Sequence, residues 1–364
     1  MQGRGLYELV RMKVAVYTIA LNEEKHVERW YESCKDADYL LIADTGSTDR
    51  TIGFAGNLGI KVVPISISPF RFDDARNASL ALLPKDIDYC IALDMDEELT
   101  PGWRKALESI DQSIDRPSYR RIEAFNPDGT PNLEFDGFKI HRRHNVRWHY
   151  PIHEVPYWYG PGEEKKGRVE GLEIHHRKDE SKSRSQYLGM LEEAVKENAD
   201  ARNLYYLGRE YYYHKRYDEA AKVLKSYLTV SVFPEERSAA CRTLAHCEKN
   251  EAEEWLLKGT EEHPNRESVL ALANFYYQTQ QWDECLLVAK KGLEFDNRPM
   301  SFLSENWAWG HMAYDLIAIS SWQLGDFKTA YEYGKKAVEL SPNEERLVNN
   351  LRFYEKKVKD GNTK

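Results

Sequence analysis

Residues 89–98 read YCIALDMDEE and decide how the first half of the chain folds. The stretch begins with a short, largely apolar run that suits a buried strand, and an acidic cluster follows at once. If the strand geometry continues through Asp96, its period of two places Asp94 and Asp96 on one face. Paired carboxylates at a strand end suit a hard cation such as Mg²⁺ or Mn²⁺. The alternative is an acidic turn in which Thr100 caps a helix that opens at Pro101.

Strand-like and helix-like segments alternate along this half of the chain. Apolar, β-branched runs predict buried strands at 13–20, 39–43 and 61–66. Asn22 is expected to cap the first helix, and a later helix ends at Leu83, before a proline. The alternation predicts an α/β domain with a mostly parallel sheet, and ligands of such sheets bind beyond the carboxyl ends of the strands. The segments at those ends are 18–24, 44–49 and 94–98.

Four motifs occupy these strand ends and the third helix. They read TIALNEE at 18–24, ADTGSTDRT at 43–51, FDDARNASL at 72–80 and LDMDEEL at 93–99. In this order and spacing they resemble the family 2 glycosyltransferases of the GT-A fold. A looser resemblance covers HRRHNVRWHYPIHEV at 141–155, where the family has an arginine-bearing strand before a His-Glu pair. No GxGxxG follows the first strand, which argues against a dinucleotide-dependent dehydrogenase.

The resemblance implies a metal-dependent, inverting transfer from a nucleotide sugar, with UDP as the commonest donor nucleotide of the family. Negative charge then builds on a phosphate oxygen as the diphosphate leaves, and a bound Mn²⁺ or Mg²⁺ stabilises it. Within the DxD motif, Asp96 is expected to coordinate this metal, with Asp94 contacting the metal or the ribose.

The same resemblance implies further donor-binding residues. Asp44 is expected to contact the nucleoside, Thr18 and Glu23 to line its pocket, and Arg76 to lie close to the diphosphate. Two of these assignments have structural alternatives. Asp44 also suits a tight turn beside glycine, and Arg76 also suits a solvated helix face.

Basic side chains stand close together at 141–149, although the chain has a net charge of −9. They could neutralise a diphosphate or an anionic acceptor, and Arg143 is assigned to donor binding; the alternative is a solvated basic strand face. His153 and His176 are candidate metal ligands, although a lone histidine is more often structural. By the resemblance Glu154 is the candidate catalytic base, which must reach the acceptor hydroxyl.

Composition describes a globular protein large enough for two domains, with an expected extension at 1–11. The 51 Lys+Arg against 60 Asp+Glu argue against general nucleic-acid binding. No apolar run approaches transmembrane length, and the five cysteines are scattered without a CxxC pair. These features predict a cytoplasmic protein with reduced thiols.

The second half of the chain has the composition of packed helices. Leucine, glycine, tyrosine and alanine recur from Leu204 to Tyr227 at intervals that resemble a tetratricopeptide repeat. An insertion at 298–312 carries Trp307 and Trp309. Such repeats stack into a superhelix that binds an acceptor, a protein partner or a second copy of the chain. Equivalent positions recur at Ala252, Cys285 and Ala330.

The sequence therefore predicts a GT-A domain at 12–182 followed by a tetratricopeptide-like domain at 183–364. Two rivals stay open. A sugar nucleotidyltransferase would need a glycine-rich loop after the first strand, and TIALNEE has no glycine. The second rival is a non-catalytic repeat scaffold with a degenerate transferase domain. The presence of all four residues Asp44, Arg76, Asp94 and Asp96 argues against it.

Overall fold

The computed structural model describes residues 11–179, 182 and 185–361. The chain forms two compact units, Met1–Met190 and Leu191–Lys364. The sequence places the domain boundary after Lys182, beside residues that lie outside the described part of the chain. The predicted N-terminal extension also lies outside it, except for Arg11.

The first unit has an α/β architecture, as predicted. Its helices are α1 (Val27–Cys34), α2 (Thr51–Asn57), α3 (Phe72–Ala81) and α4 (Trp103–Glu108). Its strands are β1 (Val14–Ala20), β2 (Tyr39–Asp44), β3 (Lys61–Pro64), β4 (Tyr89–Ala92), β5 (Glu97–Leu99), β6 (Arg116–Phe125), β7 (Pro131–Gly137), β8 (Ile140–Arg142), β9 (Val146–His149), β10 (Val155–Trp158) and β11 (Lys166–His176).

The central sheet has the strand order β3-β2-β1-β4-β8. β3, β2, β1 and β4 are parallel, whereas β8 pairs antiparallel with β4. The register sets Ala20 beside Asp44 and Tyr17 beside Ala92. The carboxyl ends of β1, β2 and β4 therefore meet at one edge, which we call the carboxyl edge of the sheet.

Helices cover both faces of this sheet. Since side chains of a strand alternate between its faces, adjacent residues of one strand contact different helices. Val16 of β1 lies in one apolar cluster with Trp30 of α1, and Tyr17 lies in another with Leu80 of α3. All residues of β1 except Ile19 are buried. Burial on both faces explains why the predicted strands read as continuous apolar runs.

A second sheet and a hairpin complete the first unit. The second sheet has the order β5-β11-β6-β7, in which β11 pairs parallel with β6. β9 and β10 form a separate antiparallel pair. Trp148 of β9 is buried, and its indole N–H donates a hydrogen bond to the hydroxyl of Tyr17 (2.8 Å). The hairpin is thereby fixed on the central sheet.

The acidic residues after β4 begin with a turn and do not continue that strand. β4 ends at Ala92, and the backbone N–H of Glu97 donates to the carbonyl of Asp94 (2.9 Å). The period-of-two argument for Asp94 and Asp96 is therefore wrong, since it requires strand geometry through Asp96. The alternative, an acidic turn with Thr100 capping a helix from Pro101, is right about the turn and wrong about the cap, because α4 begins at Trp103 and, within the described residues, no side chain caps it.

The second unit is helical, as predicted. Consecutive helices pack as pairs: α6 with α7, α8 with α9, α10 with α11, and α13 with α14. Their bounds, with those of the helices around them, are α5 (Tyr187–Glu197), α6 (Ala201–Tyr213), α7 (Tyr217–Val230), α8 (Pro234–Cys247), α9 (Ala252–Glu262), α10 (Arg266–Gln278), α11 (Trp282–Gly292), α12 (Asn306–Trp309), α13 (Met312–Gln323), α14 (Phe327–Leu340) and α15 (Glu345–Gly361).

Small residues occupy the crossings of these helix pairs. Ala252, Cys285 and Ala330 are buried near the start of the second helix of their pairs. At Gly208 of α6, an added Cβ would lie 2.5 Å from the side chain of Leu224 in α7. Glycine thus permits the close approach of the two helices, which is the packing that the repeat pattern predicts.

The insertion between α11 and α13 packs onto the helices of the second unit. The indole N–H of Trp309 donates to Glu267 of α10 (2.7 Å), and Glu305 pairs with Arg242 of α8 (2.7 Å). Leu303 is buried in the apolar cluster of α6, α7 and α8. Among the described residues, no helix is both long enough and apolar enough to cross a membrane.

Candidate functional site

The loops that follow β1 and β2 are bonded to each other at the carboxyl edge. Asn22 Oδ1 accepts from the backbone N–H of Thr48 (2.8 Å), and the N–H of Glu23 donates to Thr51 Oγ1 (2.7 Å). The sequence predicts that Asn22 caps the first helix. This prediction is wrong, because α1 begins at Val27 and Asn22 is bonded to the second loop. The left-handed backbone of Asn22 (φ 57°) turns the first loop toward the second.

Asp44 ends β2 and is buried in this edge. Its Oδ2 accepts hydrogen bonds from the backbone N–H groups of Gly46 and Ser47, both at 3.0 Å. Gly46 has φ 115°, which only glycine adopts readily, so the turn depends on that residue. Among the described residues Asp44 Oδ1 has no hydrogen-bond partner although it is buried. Asp44 thus makes the turn predicted as its structural alternative and still has one free acceptor.

Thr18 and Glu23 lie on β1 and in the loop after it. Thr18 is fully buried, and its hydroxyl donates to the carbonyl of Ile19 (3.1 Å). Glu23 forms an ion pair with Lys182, and within the described part of the chain its buried Oε2 has no partner. Burial raises the pKa of Glu23, and Lys182 opposes this rise. Of the two, Glu23 has an atom to offer a ligand.

Arg76 joins the third helix to two carboxylates of the edge. Its Nε donates to Glu154 Oε1 (3.0 Å), and its Nη2 donates to Asp94 Oδ1. Lys139 donates to the other oxygen of Asp94 (2.5 Å). Burial opposes the charge of Asp94, but Arg76 and Lys139 outweigh it and hold the pKa of Asp94 well below its ordinary value. Arg76 is therefore a buried ion-pair partner and not a solvated residue of a helix face.

The remaining guanidinium nitrogen of Arg76 is not used in these ion pairs. Among the described residues its Nη1 is buried without a hydrogen-bond partner. A buried polar atom without a partner costs free energy and needs an explanation, of which a bound ligand is one. Three of them lie at this edge, on Glu23, Asp44 and Arg76.

Asp96 lies beside His176 of β11, with 3.5 Å between Oδ2 and Nε2. Across the imidazole ring, Nδ1 lies 3.0 Å from Glu123 of β6. Burial opposes protonation of His176, but the two carboxylates outweigh it and raise its pKa to about 9. Burial also opposes ionisation of Asp96, and His176 outweighs it, so the pKa of Asp96 is lowered.

Asp96 and His176 fit a divalent cation as a pair of ligands. Ligands about 2.1 Å from a cation and at right angles lie about 3 Å apart, close to the separation observed. A carboxylate on the far nitrogen is the usual outer partner of a metal-binding histidine. Asp94 is bonded to Arg76 and Lys139 through its two oxygens, and its expected contact with the metal or the ribose stays a prediction. Within the described residues no three His, Cys, Asp or Glu side chains are grouped to hold a metal, so metal binding stays a prediction.

His153 and Glu154 lie in the loop between β9 and β10. Glu154 reaches the site through Arg76, and among the described residues its Oε2 has no hydrogen-bond partner. His153 stands edge-on to the ring of Tyr187, with the ring centroids 6.3 Å apart. The structure thus brings Glu154 to the cluster of Arg76 and Asp94, whereas it shows His153 beside an aromatic ring.

Arg143 lies away from this edge. β8 runs antiparallel to β4, so residues that follow it approach the amino end of β4. The N–H of Arg143 donates to the carbonyl of Asp88 (3.3 Å), and its guanidinium donates to the carbonyl of Leu83 (2.8 Å). The structure does not bring Arg143 to the predicted donor site. Lys139, which precedes β8, supplies the positively charged side chain at that site instead.

His141, another member of the basic segment, is a buried core residue. Its Nδ1 lies 2.7 Å from the carbonyl of Arg142, and its Nε2 lies 3.0 Å from the hydroxyl of Tyr17. Nδ1 must carry the proton, since a carbonyl only accepts, and Nε2 then accepts from Tyr17. Burial lowers the pKa of His141 to about 4, so the folded protein keeps this imidazole neutral.

The neutral His141 predicts a loss of stability in mild acid. An unfolded imidazole has a pKa of about 6.5, so below that pH the unfolded chain gains a proton that the folded chain refuses. Between pH 7.5 and pH 5 the wild type should lose about 2 kcal/mol more unfolding free energy than His141→Gln. Urea unfolding at both pH values measures this difference, and equal losses would rule out a neutral His141.

Sequence reasoning missed part of this site. Lys139 and Glu123 bond to predicted site residues, and Glu97 is a fully buried carboxylate that pairs with Lys139 (3.2 Å) and Arg121. Glu97 lies within the acidic stretch, so its position was available as a signal. Lys139 and Glu123 lie in segments without a recognisable motif.

The chain has partial similarities to curated proteins, and no protein-family model matches it. An uncharacterized glycosyltransferase of Rickettsia bellii is 31% identical over 113 residues, which are 31% of this chain and 37% of that protein. A TPR repeat-containing protein of Synechococcus elongatus is 33% identical over 102 residues, 28% of this chain and 25% of that protein. The chain thus spans about a third and a quarter of these relatives' lengths.

Among solved structures, similarity is low. A structure titled for the functional characterization of Pseudomonas aeruginosa pilF has a TM-score of 0.37 at 18% identity and covers 46% of this chain and 72% of its own. YrrB, described as a TPR protein with an unusual peptide-binding site, has a TM-score of 0.35 at 16% identity and covers 45% and 81%.

Proposed function

We propose that the protein is a metal-dependent, inverting glycosyltransferase that uses a nucleotide sugar, with UDP favoured as the nucleotide. The observation that carries the proposal is the set of buried, unpartnered polar atoms on Glu23, Asp44 and Arg76 at the carboxyl edge. Ligands of such sheets bind at this edge, and a ligand there would satisfy all three atoms. The partial similarity to a protein named as a glycosyltransferase supports the same class.

Each free atom suits one part of a nucleotide sugar. Asp44 Oδ1 is an acceptor and suits an N–H group of a nucleobase such as uracil. Glu23 Oε2 suits a sugar hydroxyl. Arg76 Nη1 is a donor and suits a diphosphate oxygen, with Lys139 as a second cation. Asp94 holds Arg76 and Lys139 in place, which gives it a positioning role in addition to the metal or ribose contact expected from the sequence.

The transfer step uses Glu154 as a base. An acceptor hydroxyl gives its proton to Glu154 Oε2 while its oxygen forms a bond to the anomeric carbon of the donor sugar. The bond between that carbon and the phosphate oxygen breaks, and the nucleoside diphosphate leaves with the electron pair. Arg76 and Lys139 stabilise the leaving charge. A cation held by Asp96 and His176 would act as a Lewis acid on the same phosphate oxygens.

Metal dependence of donor binding tests this proposal. Within the described residues a cation would find two protein ligands, Asp96 and His176, so we expect tight binding when a diphosphate supplies further oxygens. Calorimetry should show UDP binding at least about tenfold tighter with Mn²⁺ than with EDTA, while UMP, which lacks the second phosphate, shows a smaller difference. Equal UDP affinity in both conditions would contradict the metal role and leave the nucleotide site in place.

The helical unit is proposed to recognise the acceptor or a protein partner, or to form a homo-oligomer. Its consecutive helix pairs and the partial similarity to a TPR repeat-containing protein support a tetratricopeptide-like repeat. A repeat scaffold without catalysis is the second candidate. It predicts no release of nucleoside diphosphate from any nucleotide sugar, which separates it from the transferase proposal.

A further inference from the structure

One face of the second sheet carries a row of alternating charges next to Asp96. Arg121 and Glu123 of β6 lie on the same side of the strand, because the guanidinium of Arg121 donates to the carboxylate of Glu123, although the pairing of β6 with β7 is irregular at Glu123. In the strand register, His176 of β11 stands opposite Glu97 of β5, and Ile174, two residues earlier in β11, stands opposite Arg121 of β6. Four charged side chains thus stand on three adjacent strands.

The contacts within this row run without a gap. Glu97 pairs with Arg121, and Arg121 Nε donates to Glu123 Oε2 (2.7 Å). Glu123 Oε1 lies 3.0 Å from His176 Nδ1, and His176 Nε2 faces Asp96 at 3.5 Å. Glu97 is fully buried, and the other members are largely buried, so the solvent screens these charges weakly.

We infer that Glu123 is a positioning residue that directs His176 Nε2 toward a cation shared with Asp96, and that Arg121 fixes Glu123 for this task. An imidazole can turn either nitrogen toward a cation, and the partner of the other nitrogen decides which one is presented. Glu123 Oε1 stands 3.0 Å from Nδ1 as a close ion pair, without the geometry of a hydrogen bond, and Nε2 is left on the side of Asp96. The inference rests on the proposed metal-dependent function.

The test measures Mn²⁺ binding at saturating UDP, by calorimetry or by the paramagnetic resonance of free Mn²⁺, and does not need turnover. Glu123→Gln keeps the shape of the side chain and removes its charge, and we expect Mn²⁺ affinity to fall about 10- to 100-fold. UDP binding in EDTA should not change. Glu134→Gln is the matched control, because Glu134 lies on the next strand, β7, and pairs with Arg120, away from His176. Its Mn²⁺ affinity should equal that of the wild type.

A double-mutant cycle separates positioning from a general structural effect. If Glu123 acts through His176, then Glu123→Gln should add less than about twofold to the loss caused by His176→Ala. Multiplying losses, or normal Mn²⁺ affinity in folded Glu123→Gln, would overturn the inference. Should the glutamine variant fail to fold by circular dichroism, Glu123→Asp, which retains the charge on a shorter stem, serves in its place with a smaller expected loss. A wild type without Mn²⁺ binding at saturating UDP would instead refute the proposed function, and the inference with it.

Discussion

Replacing Asp96 by asparagine is expected to lower sugar transfer by about 10³-fold or more, because the cation that stabilises the leaving diphosphate loses its carboxylate ligand. The fold should survive the change. Asp96 stands in a turn, and its charged neighbour His176 keeps an ion pair with Glu123 after the change, so no buried cation is left without a partner. Transfer rate, Mn²⁺ affinity at saturating UDP and the thermal unfolding midpoint should be measured on the same preparation.

Asp86→Asn is the matched control. Asp86 precedes β4 at the opposite edge of the same sheet, where it forms an exposed ion pair with Lys13 (2.5 Å). Exposed pairs contribute little to stability, so this variant should transfer and melt like the wild type. If Asp96→Asn kept normal turnover, or lost its cooperative unfolding, the assignment of Asp96 to the metal would be refuted.

Glu154→Gln is expected to lower transfer by about two to four orders of magnitude, the usual scale for the loss of a general base. The amide can still accept from Arg76 Nε, so the shape of the donor site is preserved. If Glu154 is the base, Mn²⁺-dependent UDP affinity should change by less than about threefold, since Glu154 contacts the acceptor and not the nucleotide.

The structure also offers Glu154 a second role, because it pairs with Arg76. If its main task is to orient Arg76 toward the diphosphate, UDP affinity should fall along with the transfer rate. Normal transfer would exclude both roles. Glu163→Gln, at an exposed position of the same unit, controls for the loss of a negative charge and should leave both quantities unchanged.

The central sheet was predictable because its strands are buried on both faces. The apolar runs at β1, β2 and β4 identified them, and the rule that ligands bind beyond carboxyl ends brought Glu23, Asp44 and Asp94 to one edge. The helical half was predictable for a similar reason, since small residues recur wherever two helices cross. In both cases one local pattern reports directly on burial.

The rest of the site depends on contacts between distant segments. Lys139 reaches Asp94 only because β8 runs antiparallel to β4, and the same direction carries Arg143 away from the site. Glu123 meets His176 because β6 and β11 are neighbours in the second sheet. No local pattern encodes strand direction or neighbourhood. The period-of-two interpretation of Asp94 and Asp96 failed because it assumed that β4 continued, whereas the alternative of an acidic turn was available from the same residues.

Whether this edge of the sheet transfers sugars can be measured as the release of nucleoside diphosphate from a panel of nucleotide sugars with Mn²⁺, with the wild type and Asp96→Asn assayed side by side. We expect at least one donor, most readily a UDP-sugar, to be slowly hydrolysed by the wild type. This release should stop with EDTA and fall by about 10³-fold in the variant. Hydrolysis of no donor, or equal hydrolysis by wild type and variant, would contradict the claim that this edge is a metal-dependent sugar-transfer site.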